Sequence, residues 1–214
     1  MPRKTASEKR FERYLQARGL PFVFEPDLGT HFNPDYEVAV GGNAVICEVK
    51  EFKTTWLSDR VSSIGSVDAG RPTRAVRIRV ERAAEQLAEL AGSGLPLAVV
   101  LANPHQADVD LDPERVWAAL YYDDGPLEGG RADHVSAIVI LHRRTAEQQW
   151  AEENVRRLGP VEALRIAIRA EREGTVPEGE TLYVTVVPTQ SATAVSLPAG
   201  LFDDAEDTVW QPPS

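Results

Sequence analysis

The sequence predicts an α/β fold: a core built on a central mixed β-sheet flanked by helices, followed by an acidic α/β C-terminal extension. Three observations support this. The first fifty residues read in the order helix, strand, strand, strand. A fully apolar run, Leu97 to Ala102, has the character of a strand buried on both faces. Charge is unevenly divided, residues 1–90 holding 14 Lys/Arg and 13 Asp/Glu (net +1) and residues 91–214 holding 9 and 20 (net −11). The expected organisation is a core over residues 1–142 and an acidic extension over 143–214 that packs on the same domain.

Thr5-Ala6-Ser7-Glu8 has the form of a capping box and opens a helix whose apolar positions are Phe11, Tyr14 and Leu15. Gly19 supplies its stop. Glu8 and Glu12 stand one turn apart on this helix. Phe22-Val23-Phe24 reads as a short strand. Asp35 then follows Pro34 and opens the run Tyr36 to Val40; Gly41-Gly42-Asn43 turns the chain, and Ala44 to Lys50 returns. The β-branched content and the paired glycines predict a hairpin.

Side chains alternate along a strand, so Glu48 and Lys50 project from one face while Val49 points to the other. Asp35 lies at the far end of the partner strand, opposite that pair. Two carboxylates and an amine then converge at one end of a sheet, which is the donor set of metal-assisted phosphodiester hydrolysis. Mg²⁺ takes oxygen ligands and keeps several waters, so one or two carboxylates suffice. Asp35 and Glu48 are the candidate ligands for Mg²⁺ or Mn²⁺, with the Val49 carbonyl a further oxygen. Lys50 can orient or deprotonate a water, because ammonium groups shift their pKa readily in such settings.

The order helix with Glu, strand, Pro-Asp strand and Glu-x-Lys strand resembles the PD-(D/E)XK nuclease superfamily. The stretch Glu8-Lys9-Arg10-Phe11 through Leu15 to Gly19 is similar to the first helix of archaeal Holliday-junction resolvases. The match covers about residues 5–102. The resemblance implies a restriction-endonuclease-like core and a Mg²⁺- or Mn²⁺-dependent nuclease, with DNA ahead of RNA as substrate. It carries Glu8, Asp35, Glu48 and Lys50 over as catalytic residues, with Glu12 the alternative to Glu8. A different class stays open: a catalytically silent module of the same fold that acts through a protein partner. A homodimer is open as well.

Residues 54–73 carry no sustained periodicity and read as a long loop. A helix is expected from Ala75 to Leu90, its apolar stripe formed by Val76, Val80, Leu87 and Leu90. Residues 54–82 hold six arginines against three acids, a candidate phosphate-binding surface. Arg60, Arg71, Arg74, Arg82 and Gln86 are its candidate nucleic-acid contacts. Arg82 and Gln86, four apart, share a helix face, and the resemblance implies that such a Gln is turned towards the site.

Beyond Ala102, Asp112-Pro113 starts a helix reaching about Tyr121. Val135 to Leu141 is a strand, helices follow over 146–158 and 160–173, and Leu182 to Val187 is a further strand. The acidic tail from Asp203 reads as loose. The single cysteine, Cys47, forms no internal disulfide and reads as a buried apolar thiol. No run approaches the ~20 apolar residues that span a bilayer, and no signal peptide is visible, so a cytoplasmic location with no membrane partner is expected. None of His31, His105, His134 and His142 has metal-ligand spacing; His31 alone is close to Asp35, as a loop histidine without catalytic duty. The overall net charge of −10 argues against tight, unassisted nucleic-acid binding.

Overall fold

The computed structural model describes residues 4–52, 71–105, 109, 111–122 and 124–212, without the side chains of 71 and 72. Its sheet has seven strands, ordered along the chain: β1 (Phe22–Phe24), β2 (Tyr36–Val40), β3 (Asn43–Glu51), β4 (Leu97–Ala102), β5 (Ala137–Thr145), β6 (Glu180–Pro188) and β7 (Thr208–Val209). The first three strands pair antiparallel, β3–β4 and β4–β5 pair parallel, and β6–β7 pair parallel, so the sheet is mixed. The helices are α1 (Ala6–Ala17), α2 (Arg71–Leu87), α3 (Pro113–Tyr121), α4 (Ala146–Leu158) and α5 (Pro160–Glu173). Among the described residues no helix is long and apolar enough to cross a membrane.

Local chemistry accounts for most of these boundaries. Thr5 and Glu8 close the capping box on α1, Thr5 Oγ1 accepting from Glu8 N at 3.2 Å and Glu8 Oε2 from Thr5 N at 2.8 Å. Asp112 Oδ1 caps α3 by accepting from Glu114 N and Arg115 N, with Pro113 in the first turn, where its missing N–H costs nothing. The α2 helix begins at Arg71 rather than at Ala75 because Pro72, which reads as a loop residue, is tolerated in a first turn. Its expected last turn is instead a 3₁₀ turn, Ala88–Leu90. The rest of the expected loop, 54–70, lies outside the described residues.

The β2–β3 hairpin turns on Gly41 (φ 56°) and Gly42 (φ 86°), with Val40 paired to Asn43. Two successive positive φ angles are the signature of a two-residue turn that matches strand twist, and glycine adopts them without a Cβ penalty. This tight turn sets the register that ends in Tyr36 opposite Cys47.

Alternation then assigns the two faces of β3. Ile46 belongs to the core formed by Val76, Val80, Ala83, Ala84 and Leu87 of α2 with Val99, Leu101, Ile138 and Ile140 of the parallel strands. Tyr36, across from Cys47, faces the other side, where Phe11 of α1 meets its ring edge-on at 5.4 Å. Phe22 and Phe24 of β1 complete that aromatic cluster. Phe11 and Tyr36 are fully buried, Phe22 and Phe24 partly, and full burial of a side chain the size of Phe contributes roughly 1.5–3 kcal/mol. Cys47 is buried and free, as expected; burial, then the charges of Asp35 and Glu48, push its thiol well above the ordinary range.

The chain divides into two compact units, Met1–Leu141 with Val184–Ser214, and His142–Tyr183. The expected extension over 143–214 is therefore divided: residues 184–214 fall in the unit of the core. The cause is polar as well as apolar. The Asp207 side chain is 0% exposed and accepts from Tyr14 Oη at 2.6 Å, from Val184 N at 2.8 Å and from Arg18 Nη2 at 3.5 Å. Arg18 also pairs with Asp204 at 3.0 Å. The acidic tail is thus tied to α1 rather than loose. Asp207→Ala removes a buried charge from three donors and is expected to lower unfolding free energy by about 3 kcal/mol; urea denaturation measures it, and an unchanged midpoint would contradict the assignment.

Candidate active site

The hairpin register that pairs Tyr36 with Cys47 carries Asp35 onto Glu48. Asp35 Oδ2 accepts the Val49 N–H at 2.7 Å, and Glu48 Oε2 accepts the Asp35 N–H at 3.3 Å. Each strand end thus holds the other's carboxylate. Glu48 is only 2% exposed. Its second oxygen, Oε1, accepts from Lys50 Nζ at 2.6 Å, as two residues on the same strand face allow.

Gln86, the second-last residue of α2, accepts from the same Lys50 ammonium through Oε1. The helix that covers the Ile46–Glu48–Lys50 face therefore also fixes the lysine. Arg74 and Arg82 lie exposed on α2. Arg71 starts that helix, and Arg60 lies outside the described residues.

Burial is the first cause that pushes the Asp35 carboxyl up from 3.8 to about 7, and the negative charge of Glu48 is the second. The Val49 N–H and the Lys50 ammonium oppose the rise, while Glu8 adds to it. Glu8 thus reaches the site as charge while its carboxylate serves the α1 cap. Glu12, the alternative, is held by Lys4 and by the Tyr36 hydroxyl, which donates to Glu12 Oε1 at 3.2 Å. His31 is exposed in the loop before Asp35, its backbone N–H donating to Glu89 Oε2 at 2.6 Å.

One residue escaped sequence reasoning. Glu51, directly after Lys50, accepts the Ser7 N–H at 3.0 Å and faces His105 Nε2 at 3.4 Å. It caps a second amide of α1 and so ties the helix bearing Glu8 to the end of β3. The only signal was its place at the close of a strand beside the Glu-x-Lys pair.

The donor set is two hard carboxylates with the Val49 backbone beside them, the oxygen chemistry that Mg²⁺ and Mn²⁺ take. Among the described residues, no three His, Cys, Asp or Glu side chains are grouped to hold a metal ion. The fit therefore rests on two carboxylates whose mutual repulsion a single ammonium leaves incompletely balanced. Comparison of the chain with protein-family models, with curated proteins and with solved structures found no match.

The raised Asp35 carboxyl has a signed consequence. The folded protein keeps a proton that the unfolded chain releases, so the stability associated with this group is full below about pH 3.8 and lost as pH rises through about 7. In EDTA, the unfolding free energy of the parent should fall between about pH 5 and about pH 8 by more than that of Asp35→Asn, which carries no charge to repel. Equal falls in urea titrations would remove the Asp35–Glu48 repulsion from the account.

Proposed function

We propose that this chain is a Mg²⁺- or Mn²⁺-dependent nuclease of the PD-(D/E)XK type, with a restriction-endonuclease-like core, hydrolysing phosphodiester bonds in DNA. The observation that carries the reading is the meeting of Asp35, Glu48 and Lys50 at one end of the β2–β3 hairpin, with both carboxylates held by the opposite strand. The mixed sheet with helices after β3 and before β2 supports it. The choice of DNA rests on the resemblance.

Asp35 and Glu48 would hold the ion, with the Val49 carbonyl as a further oxygen. When bound, the ion supplies a Lewis acid for the phosphoryl oxygen and a lowered pKa for its water. The chain's own residues do the rest. Lys50 Nζ, tethered by Glu48 and Gln86, would orient the attacking water and face the charge that develops on phosphate. Glu8 contributes negative charge towards the same point. Arg74 and Arg82 are exposed on α2, Arg82 one turn before Gln86, and would offer contacts to phosphates. The unit that carries the site, residues 1–141 with 184–214, holds 16 Lys/Arg and 25 Asp/Glu (net −9), so its overall charge opposes tight, unassisted binding of the substrate.

The direct test is a panel of labelled single-stranded, duplex and branched DNA and RNA with Mg²⁺, Mn²⁺ or EDTA. The parent is expected to cut DNA only with metal, and Lys50→Ala to lose roughly 10²–10⁴-fold in rate. Cutting that persists in Lys50→Ala and Asp35→Ala would sink the reading. No cutting by the parent on any substrate would favour the silent module acting through a protein partner.

A second test does not depend on turnover. Mg²⁺ at about a hundred times its dissociation constant should stabilise the parent by about 2.7 kcal/mol. The gain should vanish in the Asp35→Asn, Glu48→Gln double variant; a melting temperature insensitive to metal in both proteins would argue against the site.

A further inference from the structure

Residues 25–35 leave β1 and return to β2 as a compact loop, closed at its base where Glu25 N donates to Asp35 O at 2.9 Å. The loop is held a second time at the end of α2. Leu28 packs on the core that includes Val80 and Leu87. His31 N donates to Glu89 Oε2 at 2.6 Å, and Glu89 lies one turn beyond the Gln86 that holds Lys50. The loop therefore runs from Asp35 to the end of α2, on the face that carries the two carboxylates and the lysine. Compact loops with joined ends are frequent carriers of function.

The apolar residues of this loop are sorted unevenly. Pro26 and Pro34 are buried and Leu28 is half-buried, but Phe32 is 51% exposed, with the exposed His31 ring edge-on beside it at 4.6 Å. Its exposure does not come from a lack of anchorage: Thr30 Oγ1 donates to Phe32 O at 2.7 Å, and the adjoining His31 amide is tied to Glu89. Phe32 stands three residues before Asp35, so their α-carbons are within about 11 Å of one another. Successive nucleotides of a strand rise by about 3.4 Å. A phosphodiester lying on Asp35 and Glu48 thus brings an adjoining base into the range of the ring.

We propose that Phe32 is a stacking platform for the nucleobase next to the scissile phosphate, and that the base it takes is unpaired. The inference rests on the nuclease reading for what lies on the carboxylates. Every base has a π-face, so a single aromatic ring accepts it without regard to sequence. In a continuous duplex both faces of a base are already stacked, and drawing one out costs its pairing and stacking. The substrate class is therefore DNA that is single-stranded, frayed or mismatched at the cut. Stacking carries no charge, so it adds affinity where the net charge of this unit opposes binding.

Equilibrium binding in EDTA tests this apart from cleavage. The probes are a labelled oligothymidylate and an equally long oligomer of abasic sites, which carries the same phosphates without the bases. The parent should bind the thymidylate more tightly. Phe32→Ala should weaken thymidylate binding roughly 5- to 150-fold and leave the abasic oligomer unchanged, and Phe32→Trp should retain the parent's preference. A merely structural role for Phe32 would move both oligomers together. The proposal is overturned by equal affinity of the parent for the two, by binding of neither, or by a Phe32→Ala protein that keeps the preference or loses both oligomers alike. Discrimination by a protein that never cuts DNA with metal would sink the nuclease reading alone. Metal-dependent cutting without discrimination would sink the stacking alone.

Discussion

The hydrogen bond from the Val49 amide to the Asp35 carboxylate, 2.7 Å long, is the constraint on which the rest of the site depends. It joins the end of β3 to the start of β2 and leaves Asp35 no freedom to turn away from Glu48. The tight glycine turn at the other end of the hairpin sets the register that allows it. A slip of one residue would send Glu48 and Lys50 to the opposite face of the sheet, under α1 instead of α2. Because the register is held at both ends, two carboxylates are kept together at an electrostatic cost visible in Asp35. Under the proposed function, a divalent cation would offset that cost more fully than one lysine does.

Two helices convert that hairpin into a defined site. The α2 helix packs its apolar stripe on the sheet and, from the edge of the same stripe, presents Gln86 to Lys50. The α1 helix lies on the other face, anchored by Phe11 against Tyr36 and by Glu51 on the Ser7 amide. The C-terminal tail in turn holds α1 through Asp207. A residue near the end of the chain therefore steadies the helix that carries Glu8, without touching the site itself.

Features written in short-range chemistry were legible in the sequence. The Thr5–Glu8 box, the Asp112 cap, the Leu97–Ala102 strand and the glycine hairpin each follow from rules that span a few residues. Strand alternation was enough to bring Asp35, Glu48 and Lys50 to one place, whereas the inward turn of Gln86 was expected from the family resemblance. What escaped depends on contacts remote in sequence. Asp207 meets Tyr14 across 193 positions, so its tail reads as a loose acidic end until the fold closes. Glu51 reads as one more strand-terminal charge because its partner, Ser7, is 44 residues away. Pro72 misplaced the start of α2 because a proline signals a loop and a first helical turn equally well.

The most direct examination of the central claim is a crystal structure of the protein grown with Mn²⁺, with anomalous differences recorded at the manganese edge. The account predicts a peak between the Asp35 and Glu48 carboxylates, with Lys50 still held by Gln86. No peak at millimolar Mn²⁺, or a peak only at some other group of residues, would contradict it.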